Sequence, residues 1–433
     1  MSETLRIDRL GAQGDGVAMT ETGPVFVRFA LPGEAVTAER RKDRADLVSL
    51  LERSPQRVEP PCRHFGICGG CALQHLEYGA YNAWKRQKLV DALAGRGIDE
   101  PVADIVPCAP HTRRRVTLAG RRTAAGVLLG YYEAQTHRIV DIAECPIARP
   151  EIVSRLDDLR ALAALVASES KPFRMIVTAT DSGLDVAFEE SGRLDAAARL
   201  RTTGLAGRAG FARFAVDGEV LVEPRRPVIR FAEVAVEPPP GAFLQATAEA
   251  EAAMAGLVSG HLAGAKRVAD LFAGCGTFGL RLAASAAVHA VESDDASLSA
   301  LDRAFRSTTG LRQVTIERRD LYRRPLLAKE LERFDGLVFD PPRAGAEQQA
   351  RQIARSSIPG IAAVSCNPVT LARDLSILLE GGYRIVGITP IDQFLWSPHV
   401  EAVALLEKPK QRRKATPSST RSTNAGTTSV ARP

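Results

Sequence analysis

Three cysteines, Cys62, Cys68 and Cys71, crowd into the run PCRHFGICGGC, in a chain with only seven cysteines. Thiols at that spacing suit a metal, because thiolates are soft donors and a short glycine-bearing loop can turn them toward one place. A disulfide framework would need an even set, a small chain and an oxidising compartment, and none of these applies to a chain of 433 residues. Spacing leaves two occupants open. Zinc would take the three thiolates with His64, His75 or Cys145, and an iron–sulfur cluster would take four thiolates.

A different chemistry is offered by Cys366, in AAVSCNP, at the tip of an expected strand and followed by Asn367 and Pro368. A lone cysteine is usually packing. At a strand tip in line with a ligand loop it reads as a nucleophile. That ligand loop is suggested by VADLFAGCGTFGL, in which Gly274-x-Gly276-x-x-Gly279 follows an expected strand and opens an expected helix. Glycines there let the backbone turn sharply and approach a ligand. Glu292, ending the next strand in AVHAVESD, is placed to accept hydrogen bonds from ribose hydroxyls. By itself this fits a dinucleotide, S-adenosylmethionine or merely a tight turn. DPPRAG, residues 340–345, closes another strand, and its two prolines make a stiff, donor-poor turn that can hold Asp340 and the loop carbonyls against a planar base. A dehydrogenase has no need of such a loop.

The elements that must carry these residues differ in texture along the chain. Residues 1–57 hold short alternating runs (LRIDRL, GVAMT, PVFVRFA, EAVTAER, DLVSLLER) broken by glycine and proline, which predict a small β-barrel, either an OB-like nucleic-acid platform or a plain structural one. Residues 58–240 begin with the cysteine loop and a helical stretch, YNAWKRQKLVDALAGRG, and continue in paired strand-like runs, an α+β pattern. Residues 241–408 alternate apolar strands with helices, the mark of a doubly wound, mostly parallel α/β sheet. The segment 409–433 is rich in Ser, Thr, Arg and Lys and predicts a disordered basic tail. The opening MSETLRIDRL has no signal-peptide pattern and no apolar run is long enough to span a bilayer, so a cytoplasmic protein without membrane contact is expected. A net charge of +6 leans toward polyanionic partners, and Arg113, Arg114, Arg115, Arg121 and Arg122 read either as phosphate contacts or as a solvated sheet face. Cys108 and Cys275 are assigned to packing, and no obligate protein partner is evident.

Taken together, these motifs resemble the RNA uracil-C5 methyltransferases, in particular the branch with an N-terminal TRAM barrel and an iron–sulfur cluster. The resemblance rests on GAQGDGVA…GPVFVRFALPGE, the cysteine loop with Cys145 in IVDIAECPI, FLQAT, DLFAGCGTFGL, DPPRAG, SCNP and DQFLWSPHVE, in that order over nearly the whole chain. It implies a Rossmann-like class I methyltransferase domain at 241–408, a TRAM-like barrel at 1–57 and a central cluster-bearing, RNA-binding domain at 58–240. It further implies Cys366 as nucleophile and Glu401 as base. Gln245, Phe272, Thr277, Glu292, Asp320 and Asp340 fall on S-adenosylmethionine positions, and Cys62, Cys68, Cys71 and Cys145 on those of a [4Fe-4S] cluster. Departures are Ala273 for a common Cys, Thr247 for Asn, and Thr112 where Tyr usually opens the basic strand.

The chemistry such an enzyme needs is definite. Uracil C5 is a poor nucleophile until a thiolate adds at C6 and makes the ring an enolate. C5 then takes a methyl group, a base removes the C5 proton, and the thiolate leaves. The thiol must be deprotonated, for which Arg343 and the Asn367 amide are candidates. A stacked base is inaccessible, so the target must be flipped or unpaired RNA. The expected substrate is 23S rRNA, with tRNA as the alternative. An Fe–S oxidoreductase with a dinucleotide domain, and a noncatalytic RNA-binding Fe–S protein, are the readings from other classes.

Overall fold

The computed structural model describes residues 2–168, 171–191 and 194–409. The expected tail lies, past Pro409, outside the described residues.

The N-terminal runs form a six-stranded sheet, Ser2–Arg6, Ala35–Arg41, Arg44–Glu52, Gly23–Val27, Gly16–Thr20 and Arg9–Leu10 in spatial order. Its alternating apolar residues, among them Leu5, Val25, Val27, Val36 and Ala38, close on a core of their own. The central strands build a seven-stranded sheet around the hairpins Arg115–Thr123/Gly126–Tyr132 and Phe173–Thr180/Gly183–Glu189. The helix Leu156–Val166 lays Leu156, Leu159, Leu162, Ala163 and Val166 into the core beneath this sheet. Helices Leu156–Val166 and Ala196–Ala209 and the strands after 212 were not separated by the sequence reading.

The C-terminal sheet also has seven strands. In space they run Val314–Arg318, Ala287–Glu292, Arg267–Leu271, Gly336–Phe339, Gly360–Ser365, Glu401–Glu407, Arg384–Ile391. The first five are parallel, and Glu401–Glu407 is antiparallel to both its neighbours. Strand order reverses between Arg267–Leu271 and Gly336–Phe339, so the loops after these strands diverge and leave a crevice at their carboxyl ends. Glu401 starts the one reversed central strand, which brings it to the same rim as Asp340 and Cys366.

The helix Tyr78–Ala94 departs from the simple picture. Glu77 caps it through Gly79 and Ala80 amides, and Tyr81, Lys85, Leu89 and Leu93, four apart, form its buried stripe. Leu89 and Leu93, with Ile98 and Val102, share the core of the C-terminal sheet. Lys85 interrupts that apolar stripe because its Nζ meets Asp392 Oδ1 at 2.6 Å and the Phe394 carbonyl at 2.9 Å, with both charged side chains fully buried. Tyr81 Oη adds a hydrogen bond to Asp392 Oδ2 at 2.7 Å.

Asp392→Ala strands the Lys85 ammonium without its counter-ion and should cost about 3–5 kcal/mol, the usual penalty for breaking a buried pair. Chemical denaturation of the two proteins side by side measures it. An unchanged midpoint would show the pair to be energetically idle.

Candidate active site

The glycine run does what its spacing requires. Gly274 and Gly276 have φ of +53° and +97°, and a Cβ on Gly279 would sit 2.6 Å from Asp270 Oδ2. Gly279 instead donates its amide to that oxygen at 2.8 Å. Gly274 N–H reaches Glu292 Oε2 at 3.1 Å, while Glu292 Oε1 accepts from the amides of Ser293 and Asp294 and from the Ser293 hydroxyl. Phe272, at φ +61°, turns its ring toward Tyr322, with centroids 5.6 Å apart. Asp320 Oδ1 accepts from the Tyr322 and Arg323 amides and so shapes the loop carrying that second aromatic. Thr277 sits half-buried on the glycine loop itself, between Gly276 and Phe278.

Beside this loop lies a chain of buried polar groups. Gln245 Nε2 donates to Asp340 Oδ2 at 2.8 Å. Gln393 Nε2 donates to Gln245 Oε1 at 2.7 Å and to Glu401 Oε2 at 2.5 Å. Gln393 lies within the DQFLWSPHVE motif but had no role assigned from sequence, since a neutral side chain signals no chemistry until its contacts are known. Glu401 Oε1 and Asp270 Oδ1 are buried and have no hydrogen-bond partner among the described residues. Burial pushes the Asp270 carboxyl up to about 8, aided by the Asp340 and Glu292 charges against the Gly279 amide. Burial likewise raises Asp340 and Glu401, and the Asp340 charge raises Glu401 further.

Cys366 follows the strand Gly360–Ser365 and opens on a cleft of about 920 Å³. The cleft is walled by the loop Asp8–Gln13, by Trp84 and Lys88, and by Arg343, Pro398 and His399. The expected lowering of its thiol pKa is not what the structure gives. Burial pushes it up to about 11, and the Glu401 and Asp340 carboxylates add to this against one opposing cation, Arg343. Asn367 does not serve the thiol with its amide. Its Oδ1 caps the helix Pro368–Glu380 at Val369, and its Nδ2 donates to the Arg343 carbonyl at 3.0 Å, tying SCNP to DPPRAG.

The basic run is corrected in the same way. Arg114 is buried, paired with Glu251 and donating to the Gln245 carbonyl at 3.1 Å. Arg115 donates to the carbonyls of Ala242 and Gly241. These two guanidinium groups anchor the segment that carries Gln245 and are not phosphate contacts. Thr247, where Asn was the expected type, caps the helix Ala248–His261 through Ala250 N–H at 3.1 Å, a task either residue performs.

A family model described as tRNA (uracil-5-)-methyltransferase matches residues 203–409. An uncharacterized RNA methyltransferase of Mesorhizobium japonicum is 61% identical, over 95% of this chain and 100% of its own. The 23S rRNA (uracil(1939)-C(5))-methyltransferase of Halomonas elongata is 34% identical, over 96% of this chain and 92% of its own. This chain belongs to the RNA uracil-5 methyltransferases. Among solved structures, the Pyrococcus abyssi tRNA (uracil-54, C5)-methyltransferase in complex with S-adenosyl-L-homocysteine superposes with a TM-score of 0.73 at 26% identity, covering 93% of this chain and 99% of that one. The C-terminal sheet is thus the class I methyltransferase fold.

In this uracil-5 methyltransferase Cys62, Cys68, Cys71 and Cys145 line one small cavity with Tyr131 and Gln74. Burial raises the Cys62 and Cys68 thiols and pushes Cys71 up to about 12. His64, which also borders the cavity, accepts the Ala143 amide at Nε2, 3.0 Å away. His75 lies elsewhere, packed on Phe65 and Phe29. Among the described residues no three His, Cys, Asp or Glu groups converge closely enough to hold a single metal ion. Cys108 and Cys275 are buried within apolar cores, as expected of packing residues. No helix among the described residues is long and apolar enough to cross a membrane.

The raised carboxyls carry a pH signature. The folded state holds these protons more tightly than the unfolded chain, so stability is full in acid and falls as pH rises from the ordinary carboxyl range toward about 8. Glu401→Gln removes one such group while keeping an oxygen for the Gln393 amide. Its unfolding midpoint should therefore decline less than that of the parent between about pH 5 and about pH 8. Parallel declines would mean that Glu401 is not protonated preferentially in the folded state.

Proposed function

We propose that this enzyme forms 5-methyluridine in 23S rRNA, with S-adenosylmethionine as methyl donor, Cys366 as nucleophile and Glu401 as general base. The observation that supports it most is the meeting, at neighbouring strand tips, of a thiol that lines a cleft and a half-partnered buried carboxyl. Cys366 adds to C6 of an unstacked uracil entering from that cleft. When bound, S-adenosylmethionine supplies an electrophilic methyl group on a sulfonium. Phe272, Thr277, Glu292, Asp320, Gln245 and Asp340 would hold it. A cation there suits a site with buried carboxyls at Asp270, Asp340 and Glu401, and added positive charge would draw the Cys366 thiol down from its raised value. Glu401 takes the C5 proton, and burial makes it a stronger base than a surface carboxylate.

Residues 1–57 would act as the TRAM-type barrel lending one wall of the cleft, residues 58–240 as an RNA-binding unit, and residues 241–408 as the catalytic unit, in the cytoplasm. The four-thiol cavity supplies the donor set that a [4Fe-4S] cluster takes, one thiolate for each iron. Cys62, Cys68, Cys71 and Cys145 would hold it, joining the loop 62–71 to the segment after the strand Ile139–Asp141. Methyl transfer moves no net electrons, so its part is structural.

The deciding experiment is methylation of RNA from a strain lacking the gene, with modified positions mapped. Methyl groups should appear on large-subunit rRNA; labelling of tRNA alone would transfer the assignment to tRNA. Cys366→Ala should abolish turnover and retain S-adenosylmethionine binding. Glu401→Gln should slow turnover by about 10²–10⁴-fold and leave methylated RNA covalently attached on denaturing gels. Normal turnover by either variant would remove that residue from its role. For the cluster, anaerobically purified protein should contain iron and sulfide, and Cys145→Ser should lose them and weaken RNA binding more than cofactor binding. One zinc per chain, retained in Cys145→Ser, would overturn the cluster.

A further inference from the structure

We propose that Gln393 is a positioning residue for the proton-removal step, fixing which oxygen of Glu401 receives the C5 proton. This rests on Glu401 being the base. The argument begins with a group that has no choice of role. Ala246 N–H points at the Gln393 amide and lies 2.7 Å from its Oε1. A backbone N–H can only donate, so Gln393 must turn its oxygen there and its NH₂ the other way. That NH₂ has two hydrogens and two acceptors, Gln245 Oε1 at 2.7 Å and Glu401 Oε2 at 2.5 Å. Because Gln245 Oε1 accepts, Gln245 Nε2 must donate, and it does so to Asp340 Oδ2 at 2.8 Å. One backbone amide thus sets the polarity of the whole chain from Asp340 to Glu401.

The consequence falls on Glu401. A proton on Oε2 would face the Gln393 N–H head-on. Oε1 is buried and has no hydrogen-bond partner, so it is the oxygen at which a proton can be lodged. The proton leaving C5 goes to Glu401 Oε1, the C–H electron pair re-forms the C5–C6 double bond, and Cys366 leaves C6 as thiolate. The Gln393 N–H meanwhile stabilises the ionised carboxylate before the step. The other charged or titratable groups facing Glu401 are Asp340 and Arg343 of the 340–345 loop and Cys366. Gln393 itself is only 2% exposed, and its neighbour Asp392 is held by Lys85 and Tyr81, so the amide cannot swing away without breaking that clamp.

The test uses the full chain loaded with S-adenosylmethionine and an RNA substrate, following the covalent adduct in a single turnover across pH. Gln393→Met keeps the length and loses every hydrogen bond; Gln393→Glu keeps the acceptor for Ala246 N–H but replaces the donor with a carboxylate. In the parent, adduct resolution speeds up as pH rises and Glu401 ionises. Both variants should shift that rise upward by about one pH unit or more, the loss expected for a hydrogen bond to a charged group, with Gln393→Glu shifted further. Adduct formation should change less than adduct resolution. Gln393→Met, which adds no charge, decides the matter alone if Gln393→Glu does not fold. A parent-like pH profile in Gln393→Met, alongside a stalled adduct in Glu401→Gln, overturns this inference and leaves the base assignment standing. Normal turnover in Glu401→Gln overturns both.

Discussion

The ion pair between Lys85 and Asp392 is the constraint on which the reacting end of the molecule hangs. Taking two charges wholly out of water is costly, and an apolar pair would pack at least as well. What the pair provides is a unique docking: an ammonium on a helix near the N-terminus fits only where Asp392 and the Phe394 carbonyl await it. Asp392 Oδ1 also accepts the Phe394 amide, and Tyr81 bridges from Asp392 to Trp396 N–H at 2.8 Å. The segment linking the last two strands is therefore fastened at three points within five residues, 392–396, and Gln393 sits inside that span.

A second feature of the rim is its electrostatic imbalance. Asp270, Asp340 and Glu401 are all driven toward their neutral forms, and Cys366 toward its thiol. Such a site resists accumulating negative charge and favours an incoming cation. Thiol and carboxyl are mutually suppressing, since ionising either raises the other. Positive charge arriving beside them would ease ionisation of both, and without it the Cys366 thiol is held toward its protonated form.

How much of this could be read from the string depends on what kind of constraint each residue obeys. Gly274, Gly276 and Gly279 were legible because backbone geometry tolerates nothing else there, and SCNP and DPPRAG because a strand-and-tip pattern places them on one rim. Most strands of the three large sheets were legible from alternation and apolar runs, but Arg213–Val216, Glu219–Val222, Val314–Arg318 and Arg384–Ile391 were not separated. Arg114 and Arg115 were misread because a run of arginines looks the same whether it faces solvent or ties down a distant loop; only the carbonyls of residues 241–245 reveal the difference. The helix Tyr78–Ala94 was legible as a helix but not as a partner of the C-terminal core, since its stripe contains a lysine whose counter-ion is some 300 residues away. Gln393 stood within DQFLWSPHVE without a role, because an uncharged amide acquires meaning only from what its two ends face.

The same segment also explains why a thiol cavity at one end of the molecule bears on chemistry at another. Trp396 has φ of +57°, a conformation bulky residues avoid at a cost of about 1–3 kcal/mol, so something must hold it there. Its carbonyl accepts the amides of Ala72 and Leu73, at 2.8 and 3.1 Å, and these follow Cys71 directly in the chain. The cysteine loop thus ends as a pair of donors clasping the strained residue, while Tyr81 clasps its amide from the other side. Beyond Trp396 the chain runs through Pro398 and His399, which wall the cleft, to Glu401. A metal cluster held by the loop 62–71 would therefore stiffen the segment that leads to Glu401, a purely mechanical use for the four thiols.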